Sequence, residues 1–241
     1  MTGMCLGSFS FDTMAQLTDK QKASAIFRHV DQQYRSKPNL HFSILYRYAA
    51  EDKPSVYLDS LYGECTLNGD QYLYRLDSTE FIGDKKLTMV VYREDKTIYL
   101  TKPSAAKVSG NPAAQMDSLL FKSDSIRCEV TENTEEQTIR LLFPSGGAVR
   151  EMRYVIDRAT GYIVRMVNIV PASELYDPAL RSKVEGLATY AIVETLYEHY
   201  QQQSLAAGAL DPARYFKKEG KEFIALAPYQ TYTIIPANSG L

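Results

Sequence analysis

Residues 54–77 read PSVYLDSLYGECTLNGDQYLYRLD, and this stretch carries the clearest indication of the fold. Two runs in which apolar and polar residues alternate meet at Asn68-Gly69. An Asn-Gly pair between such runs is the strongest short-range signal for a β-hairpin. The sequence therefore predicts two antiparallel strands joined by a tight turn at Asn68-Gly69, with positive φ and most simply of type I′.

Runs with the same two-residue period lie on both sides of this hairpin and extend it into a meander of five strands. A stretch rich in Pro, Ala, Gly and Ser follows, and MDSLLFKSDS after it predicts one or two helical turns, so we interpret this part as a central helical insertion. The first-half strands are predicted in LHFSILYRY (40–48), the two halves of the hairpin, LTMVVY (87–92) and TIYLTK (97–102).

The second half of the chain repeats the meander. The segment 186–203 fits a helix nearly as well as a strand, but its Thr, Ile, Val and Tyr content favours a long strand. Pro212 at the start of DPARYFKKEG predicts a short helix, and a terminal hairpin closes the chain. The second-half strands are predicted in SIRCEVTE (125–132), QTIRLLFP (137–144), AVREMRYVIDR (148–158), GYIVRMVNIV (161–170), 186–203, EFIALAP (222–228) and QTYTIIP (230–236).

An amphipathic helix precedes the first strand. Thr18 begins a capping-box pattern with Gln21 at the third helical position, and the helix ends before Pro38. Its apolar stripe consists of Ala23, Ile26, Phe27, Val30 and Tyr34. With about eleven strands, the predicted fold is mainly β with helices (α+β): an antiparallel, unclosed β-barrel with an N-terminal helix and a central helical insertion.

Residues 1–16 differ from the rest of the chain because they contain no basic residue and are weakly apolar. Thr13-Met14-Ala15 before Gln16 resembles the cleavage site of a secretory signal, although the basic start of such a signal is missing. We interpret 1–16 as a signal peptide and 17–241 as a single domain of an exported, periplasmic protein that is soluble after cleavage. A disordered tail is the alternative, and Met4 before Cys5 disfavours lipidation at that cysteine.

Composition excludes several classes of function. A net charge of −2 with well-mixed acids and bases argues against nucleic acid as a partner, and no stretch is long and apolar enough to span a membrane. The three histidines lack ligand spacing, and no nucleophile elbow, P-loop or dinucleotide motif is present. We therefore expect no metal, no cofactor and no enzymatic activity. Cys65 and Cys128 lie on apolar strand faces, as buried free thiols or as a disulfide.

Several strands carry large residues on both faces, whereas a strand with one solvated face has a polar side. Either the N-terminal helix fills the interior, or the strands line an apolar cavity that accepts acyl chains. Methionines suit a cavity that adapts to flexible chains. The candidate lining, taken from one alternation of each strand, is Phe42, Ile44, Tyr46, Tyr48, Tyr72, Tyr74, Met89, Val91, Tyr154 and Met166.

The order of elements from Leu17 to Pro236, with its helix, N-G meander, helical insertion and second meander, resembles the periplasmic outer-membrane lipoprotein carrier (LolA-like) family. The resemblance is one of layout, and no motif of that family is matched residue by residue. It implies an unclosed barrel whose apolar concave face holds lipid or the acyl chains of lipoproteins. The alternative is a non-enzymatic module of the cell envelope, filled by its own helix, that binds another protein.

Overall fold

The computed structural model describes residues 9–103, 111–113, 116–122, 124–175, 189–203, 208, 210–220 and 222–237. Two α-helices, two 3-10 turns and fourteen strands lie in these ranges. They are α1 (Phe9–Ser36), β1 (Leu40–Ala50), β2 (Tyr57–Asn68), β3 (Gln71–Leu76), β4 (Thr79–Gly83), β5 (Thr88–Tyr92), β6 (Thr97–Thr101), α2 (Met116–Lys122), β7 (Arg127–Glu132), β8 (Glu136–Leu142), β9 (Glu151–Asp157), β10 (Ile163–Pro171), the 3-10 turn Ala172–Glu174, β11 (Tyr190–Gln202), the 3-10 turn Pro212–Arg214, β12 (Phe216–Glu219), β13 (Glu222–Ala225) and β14 (Thr233–Pro236).

Twelve of these strands follow one another by hydrogen bonding in the order β14-β6-β5-β4-β3-β2-β1-β11-β10-β9-β8-β7. Among the described strands this order has two ends, β14 and β7, so the sheet is unclosed. The predicted fold class is therefore confirmed: a largely antiparallel, unclosed sheet with an N-terminal helix. The strand at 186–203 and a helix within MDSLLFKSDS are confirmed as β11 and α2.

Two strand predictions are wrong. β4 was not predicted, and it raises the first meander from five strands to six. The last two strands do not form a hairpin, because β13 pairs with β12 whereas β14 pairs in parallel with β6. The predicted total of about eleven strands compares with twelve described strands in the main sheet and two in a separate hairpin.

Helix α1 begins earlier than its sequence pattern predicts. The helix runs from Phe9 to Ser36, so the capping-box prediction at Thr18 is wrong and Thr18 lies within the helix. No proline or glycine interrupts residues 9–17, and such a segment continues a helix at little cost. Removal of residues 1–16 as a signal peptide stays a prediction.

The hairpin between β2 and β3 is confirmed, but its turn lies one residue later than predicted. Asn68 pairs with Gln71, so Gly69 and Asp70 are the two central residues of the turn. Gly69 has a φ of 62°, and Asp70 is not among the described residues with positive φ. Glycine with positive φ at the first central position is the pattern of a type II′ turn, so the type I′ prediction is wrong.

Replacing Gly69 with Val is expected to lower the free energy of unfolding by about 1–3 kcal/mol, because a β-branched side chain is strained at positive φ. No atom lies within 4 Å of the position that a Cβ would occupy, so the loss comes from backbone strain alone. Asn tolerates positive φ and provides the matched control. Urea unfolding measures both variants, and equal stability of the Val and Asn variants would contradict the assigned turn.

The chain divides into two compact units, one made of residues 1–32, 47–59 and 113–196, and the other of residues 33–46, 60–112 and 197–241. We refer to them as unit 1 and unit 2. The prediction that residues 17–241 act as a single domain stays a prediction.

Unit 1 is filled by α1. The ring of Phe27 packs edge-on against that of Tyr154, with 5.1 Å between centroids, and Cys128 Sγ donates a weak hydrogen bond of 3.7 Å to the carbonyl of Asp19. The Tyr154 hydroxyl lies 3.0 Å from Met116 Sδ on α2. Burial raises the pKa of the Cys128 thiol to about 12 and also raises the pKa of Tyr154. The helix therefore covers the sheet of this unit with a packed core.

In unit 2 the strand register separates the side chains of β3, β4, β5 and β6 into two faces, because paired residues point to the same side of a sheet. The pairs Tyr74–Phe81, Phe81–Val90 and Val90–Tyr99 follow one another across these strands. We call their side the tyrosine face; it comprises Tyr72, Tyr74, Phe81, Val90 and Tyr99. The opposite side, the core face, comprises Leu73, Ile82, Met89, Val91, Ile98 and Leu100.

The C-terminal segment, residues 208–237 as far as they are described, covers the core face. Its buried Leu210 and Tyr215 belong to the same cluster as Met89 and Ile82, which are 0% exposed. The half-buried hydrophobic residues of the segment that pack against this cluster are Phe216, Phe223, Tyr229, Tyr232 and Ile234. The second apolar face of the first-half strands is thus explained by the end of the chain.

Candidate functional site

The tyrosine face changes in character across the strands of unit 2. Near β1 it is closed by aromatic packing: Phe42 lies 5.9 Å from Tyr34 of α1 and 4.9 Å from Tyr200, measured between ring centroids. The Tyr34 and Tyr200 hydroxyls lie 2.5 Å apart in a hydrogen bond, and burial raises the pKa of Tyr200. This end of the face is therefore occupied by side chains of the protein itself.

Towards β14 the same face becomes exposed. Tyr72 and Tyr74 on β3 are 7% and 8% exposed, whereas Tyr99 on β6 is 39% exposed. Phe81 and Val90 between them are half-buried. The face therefore remains aromatic and aliphatic from its buried end to its exposed end.

Two further exposed residues, Tyr92 and Ile235, complete this region. Tyr92 and Ile235 are 38% and 37% exposed, and Ile235 pairs in register with Tyr99, so both point to the tyrosine face. The rings of Tyr92 and Tyr99 meet edge-on at 5.7 Å and line a shallow depression of about 230 Å³ together with Asp95. We call the set Phe81, Val90, Tyr92, Tyr99 and Ile235 the apolar strip.

The predicted lining residues do not share one surface. Tyr72 and Tyr74 lie on the tyrosine face, but Met89 and Val91 lie on the core face. Met89 and Val91 are 0% exposed and packed under the C-terminal segment. The prediction that Met89 and Val91 line one surface with Tyr72 and Tyr74 is therefore wrong. The reason is that β4 lies between β3 and β5 and its register places the two pairs on opposite faces of the sheet.

The other predicted residues differ in their surroundings. Phe42 and Ile44 are buried, and Tyr46 hydrogen-bonds Tyr74, with a pKa raised by burial. In unit 1, Tyr154 pairs in register with Met166; Tyr154 is covered by Phe27, and Met166 is half-buried. Tyr48 is half-buried. A ligand-binding role for these residues stays a prediction.

Sequence reasoning missed the residues of the apolar strip. Val90 and Tyr92 form the other alternation of the strand that contains Met89 and Val91, and sequence alone does not say which alternation faces which neighbour. A signal was present: Thr88, Val90 and Tyr92 on β5, and Thr97, Tyr99 and Thr101 on β6, mix apolar and hydroxyl groups. Such a mixture is typical of a face that is partly wet.

The two described cysteines are buried, and the potential metal-ligating side chains of the described residues do not cluster. Cys65 and Cys128 are both buried thiols and are not joined in a disulfide, and burial raises the pKa of the Cys65 thiol. No group of three His, Cys, Asp or Glu side chains among the described residues is placed to hold a metal ion. Within the same part of the chain, no helix has both the length and the apolar composition needed to cross a membrane.

Comparison with known proteins gives likenesses of fold. No family model and no curated protein matches the sequence. An uncharacterised conserved protein from Thermus thermophilus has a TM-score of 0.50 at 11% identity, and the match covers 90% of this chain and 99% of that chain.

Two further solved structures are similar over most of their length. A LolA superfamily protein from Nitrosomonas europaea has a TM-score of 0.38 at 8% identity, covering 79% of this chain and 98% of that chain. A DUF1329 family protein from Desulfovibrio piger has a TM-score of 0.41 at 9% identity, covering 81% and 98% respectively. At identities of 8–11%, all three are likenesses of fold.

Proposed function

We propose that this protein is a non-enzymatic binding protein of the cell envelope, exported to the periplasm, that holds lipid or the acyl chains of lipoproteins on the tyrosine face of unit 2. The observation that carries the proposal is the apolar strip. There, exposed apolar side chains adjoin a buried aromatic surface, whereas the core face of the same strands is covered. An acyl chain bound on the strip would be in contact with apolar side chains that are continuous with this buried surface.

The shape and chemistry of the strip favour an acyl chain as the occupant. The strip takes one side chain from each of β4, β6 and β14 and two from β5, so its length runs across four strands. Thr88, Thr97 and Thr101 on the same face carry uncharged hydroxyls, and Asp95 at the depression is the charged residue that lines it with Tyr92 and Tyr99. A methylene chain needs no hydrogen-bonding partner and gains about 0.8 kcal/mol for each CH₂ that it buries.

The interaction module remains a second candidate, because a different surface favours it. Val56 and Leu58 at the start of β2 in unit 1 are 57% and 59% exposed. Tyr57 between them is held by a hydrogen bond of 2.8 Å to Glu194, and the guanidinium of Arg47 lies 4.9 Å from the centre of its ring. Tyr57 is itself 44% exposed, so large apolar side chains reach the surface on both sides of the strand here, as they do in many protein-binding surfaces.

Binding of a fluorescent fatty acid to the purified protein tests the first proposal. The double substitution Tyr99→Ser and Ile235→Ser is expected to raise the Kd of the probe about tenfold, since each residue contributes apolar area. The matched control is Tyr62→Ser. Tyr62 is 71% exposed, but it lies on the opposite side of the sheet, because its neighbour Gly63 pairs with Leu76 on the tyrosine face.

The expected result is a weaker Kd for the double variant and an unchanged Kd for Tyr62→Ser. Native mass spectrometry of the purified protein is then expected to detect co-purifying acyl species. An equal effect of the control substitution, or a parent protein that binds neither probe nor lipid, would overturn acyl binding on this face. A protein that purifies without bound lipid and captures one envelope protein through Val56 and Leu58 would support the interaction module instead.

A further inference from the structure

Unit 2 contains a second cavity on the side of the sheet opposite the tyrosine face. Its volume is about 300 Å³, at the lower end of the range for small-molecule sites. The strands β1, β2 and β3 contribute its sheet side, and Gln203 with residues 214–215 and 227–229 contributes the rest. The polar and aromatic residues that matter for its chemistry are His41, Glu64, Thr66, Arg75, Arg214 and Tyr229.

The walls of this cavity are ordered by contacts that are independent of any ligand. Thr66 is buried, and its hydroxyl lies 3.0 Å from Nδ1 of His41 in a hydrogen bond. Tyr215 and Tyr229 stack at 4.9 Å between ring centroids with 33° between their planes, so an aromatic surface stands beside the polar one. Burial raises the pKa of both phenols, which keeps them neutral hydrogen-bonding groups at neutral pH.

The charges of the cavity are of both signs, belong to side chains that are exposed (Glu64, Arg75 and Arg214), and are not neutralised by each other. Glu64 and Arg75 stand directly opposite in the register of β2 and β3, and therefore on the same face, but they form no ion pair. Arg75 instead directs Nε towards Glu80, at 3.7 Å. The carboxylate of Glu64 and the guanidinium of Arg214 have no charged or hydrogen-bonding partner among the residues that the structure describes.

We infer that this cavity binds a small zwitterion, a molecule with a carboxylate and an ammonium group of the size of an amino acid or a dipeptide. Arg214 and Arg75 supply the cationic donors for the carboxylate, and Glu64 accepts from the ammonium group. The stacked tyrosines contact the apolar part of the ligand, while Thr66 and His41 offer further polar atoms. A simple anion would leave Glu64 as a repulsive neighbour, whereas a zwitterion pairs with charges of both signs.

Isothermal titration calorimetry with three peptides tests this inference. Alanyl-phenylalanine carries both charges, its N-acetyl derivative lacks the ammonium group, and its C-terminal amide lacks the carboxylate. The Kd of the zwitterion is expected to be at least about tenfold lower than the Kd of either derivative, since each blocked group loses a charge-assisted hydrogen bond. Equal binding of all three peptides, or no binding at millimolar concentration, would overturn the inference.

Two substitutions assign the charges within the cavity. Arg214→Gln is expected to remove the preference over the amide, and Glu64→Gln the preference over the acetylated peptide. Lys217→Gln is the control, because Lys217 is exposed in the same segment, is ion-paired with Glu219 and does not line the cavity. Selectivity that survives both cavity substitutions, or that Lys217→Gln also removes, would place the peptide elsewhere.

The site is separate from the proposed acyl-binding strip, and the same variants test this separation. Tyr99→Ser combined with Ile235→Ser is expected to leave the Kd of alanyl-phenylalanine unchanged. Glu64→Gln and Arg214→Gln are expected to leave the Kd of the fatty-acid probe unchanged. Loss of both ligands in either pair of variants would contradict two independent sites.

Discussion

Replacing Met89 with Ala is expected to lower the free energy of unfolding by about 2–5 kcal/mol, the cost of removing a large side chain from a filled core. Met89 is 0% exposed and lies in the cluster of the core face that the C-terminal segment covers. Leu210 and Tyr215 of that segment belong to the same cluster. The cavity left by the substitution is therefore closed off from solvent by the segment. Urea unfolding of the purified variant measures the loss.

Met166→Ala provides the matched control. Met166 is half-buried in unit 1, so the same chemical change removes less buried area, and we expect it to cost less than half as much. The Kd of the fatty-acid probe is expected to be unchanged in Met89→Ala, because Met89 lies on the face opposite the apolar strip. An unchanged free energy of unfolding in Met89→Ala would contradict the filled core face. A Met89→Ala variant that is stable but does not bind the probe would show that Met89 belongs to the ligand site.

Local sequence patterns predicted most of the strands of this protein. The two-residue alternation and the Asn68-Gly69 pair identified the hairpin, since both signals act over a few residues. The β-branched and aromatic content of 186–203 correctly favoured β11 over a helix. β4 was not predicted because it has only five residues, TEFIG, of which two are large and apolar. So short a run shows no measurable alternation of apolar and polar residues.

Long-range relationships were beyond the reach of such patterns. The pairing of β14 with β6 joins Thr233 to Thr97, and nothing in either segment specifies a partner so distant in the chain. The same limit affected the candidate site. Alternation sorted β5 into the set Met89 and Val91 and the set Val90 and Tyr92, but the choice of face depended on β4 and on the C-terminal segment.

The polar cavity illustrates the limit most clearly. Glu64, Arg75 and Arg214 have ordinary positions in the sequence, two on a hairpin and one in a short turn after Pro212. They meet because the end of the chain covers the core face of the strands. Their charges gain significance from the absence of an ion pair between Glu64 and Arg75, which register alone would predict.

Replacing Arg93 with Gln is expected to lower the free energy of unfolding by about 2–3 kcal/mol, because it removes the main partner of a buried carboxylate. Glu80 is 1% exposed, and Oε1 accepts hydrogen bonds from Nε of Arg93, at 2.8 Å, and from its Nη2. Nε of Arg75 lies 3.7 Å from Oε1 of Glu80 and partly compensates the negative charge, and the Arg93 side chain is half-exposed. The expected loss of stability is therefore smaller than for a fully buried ion pair.

A double-mutant cycle separates this ion pair from simple loss of packing. If Glu80 is destabilising once Arg93 is gone, Glu80→Gln combined with Arg93→Gln must cost less than the two single changes added together. Arg75→Gln is the control, since its contact with Glu80 exceeds hydrogen-bonding distance, and it is expected to cost less than about 1 kcal/mol. Strictly additive losses in urea unfolding would contradict the pairing. Burial, and after it the nearby negative charge of Glu80, raises the pKa of Tyr215 and of Tyr229, so this carboxylate lies close to the C-terminal segment.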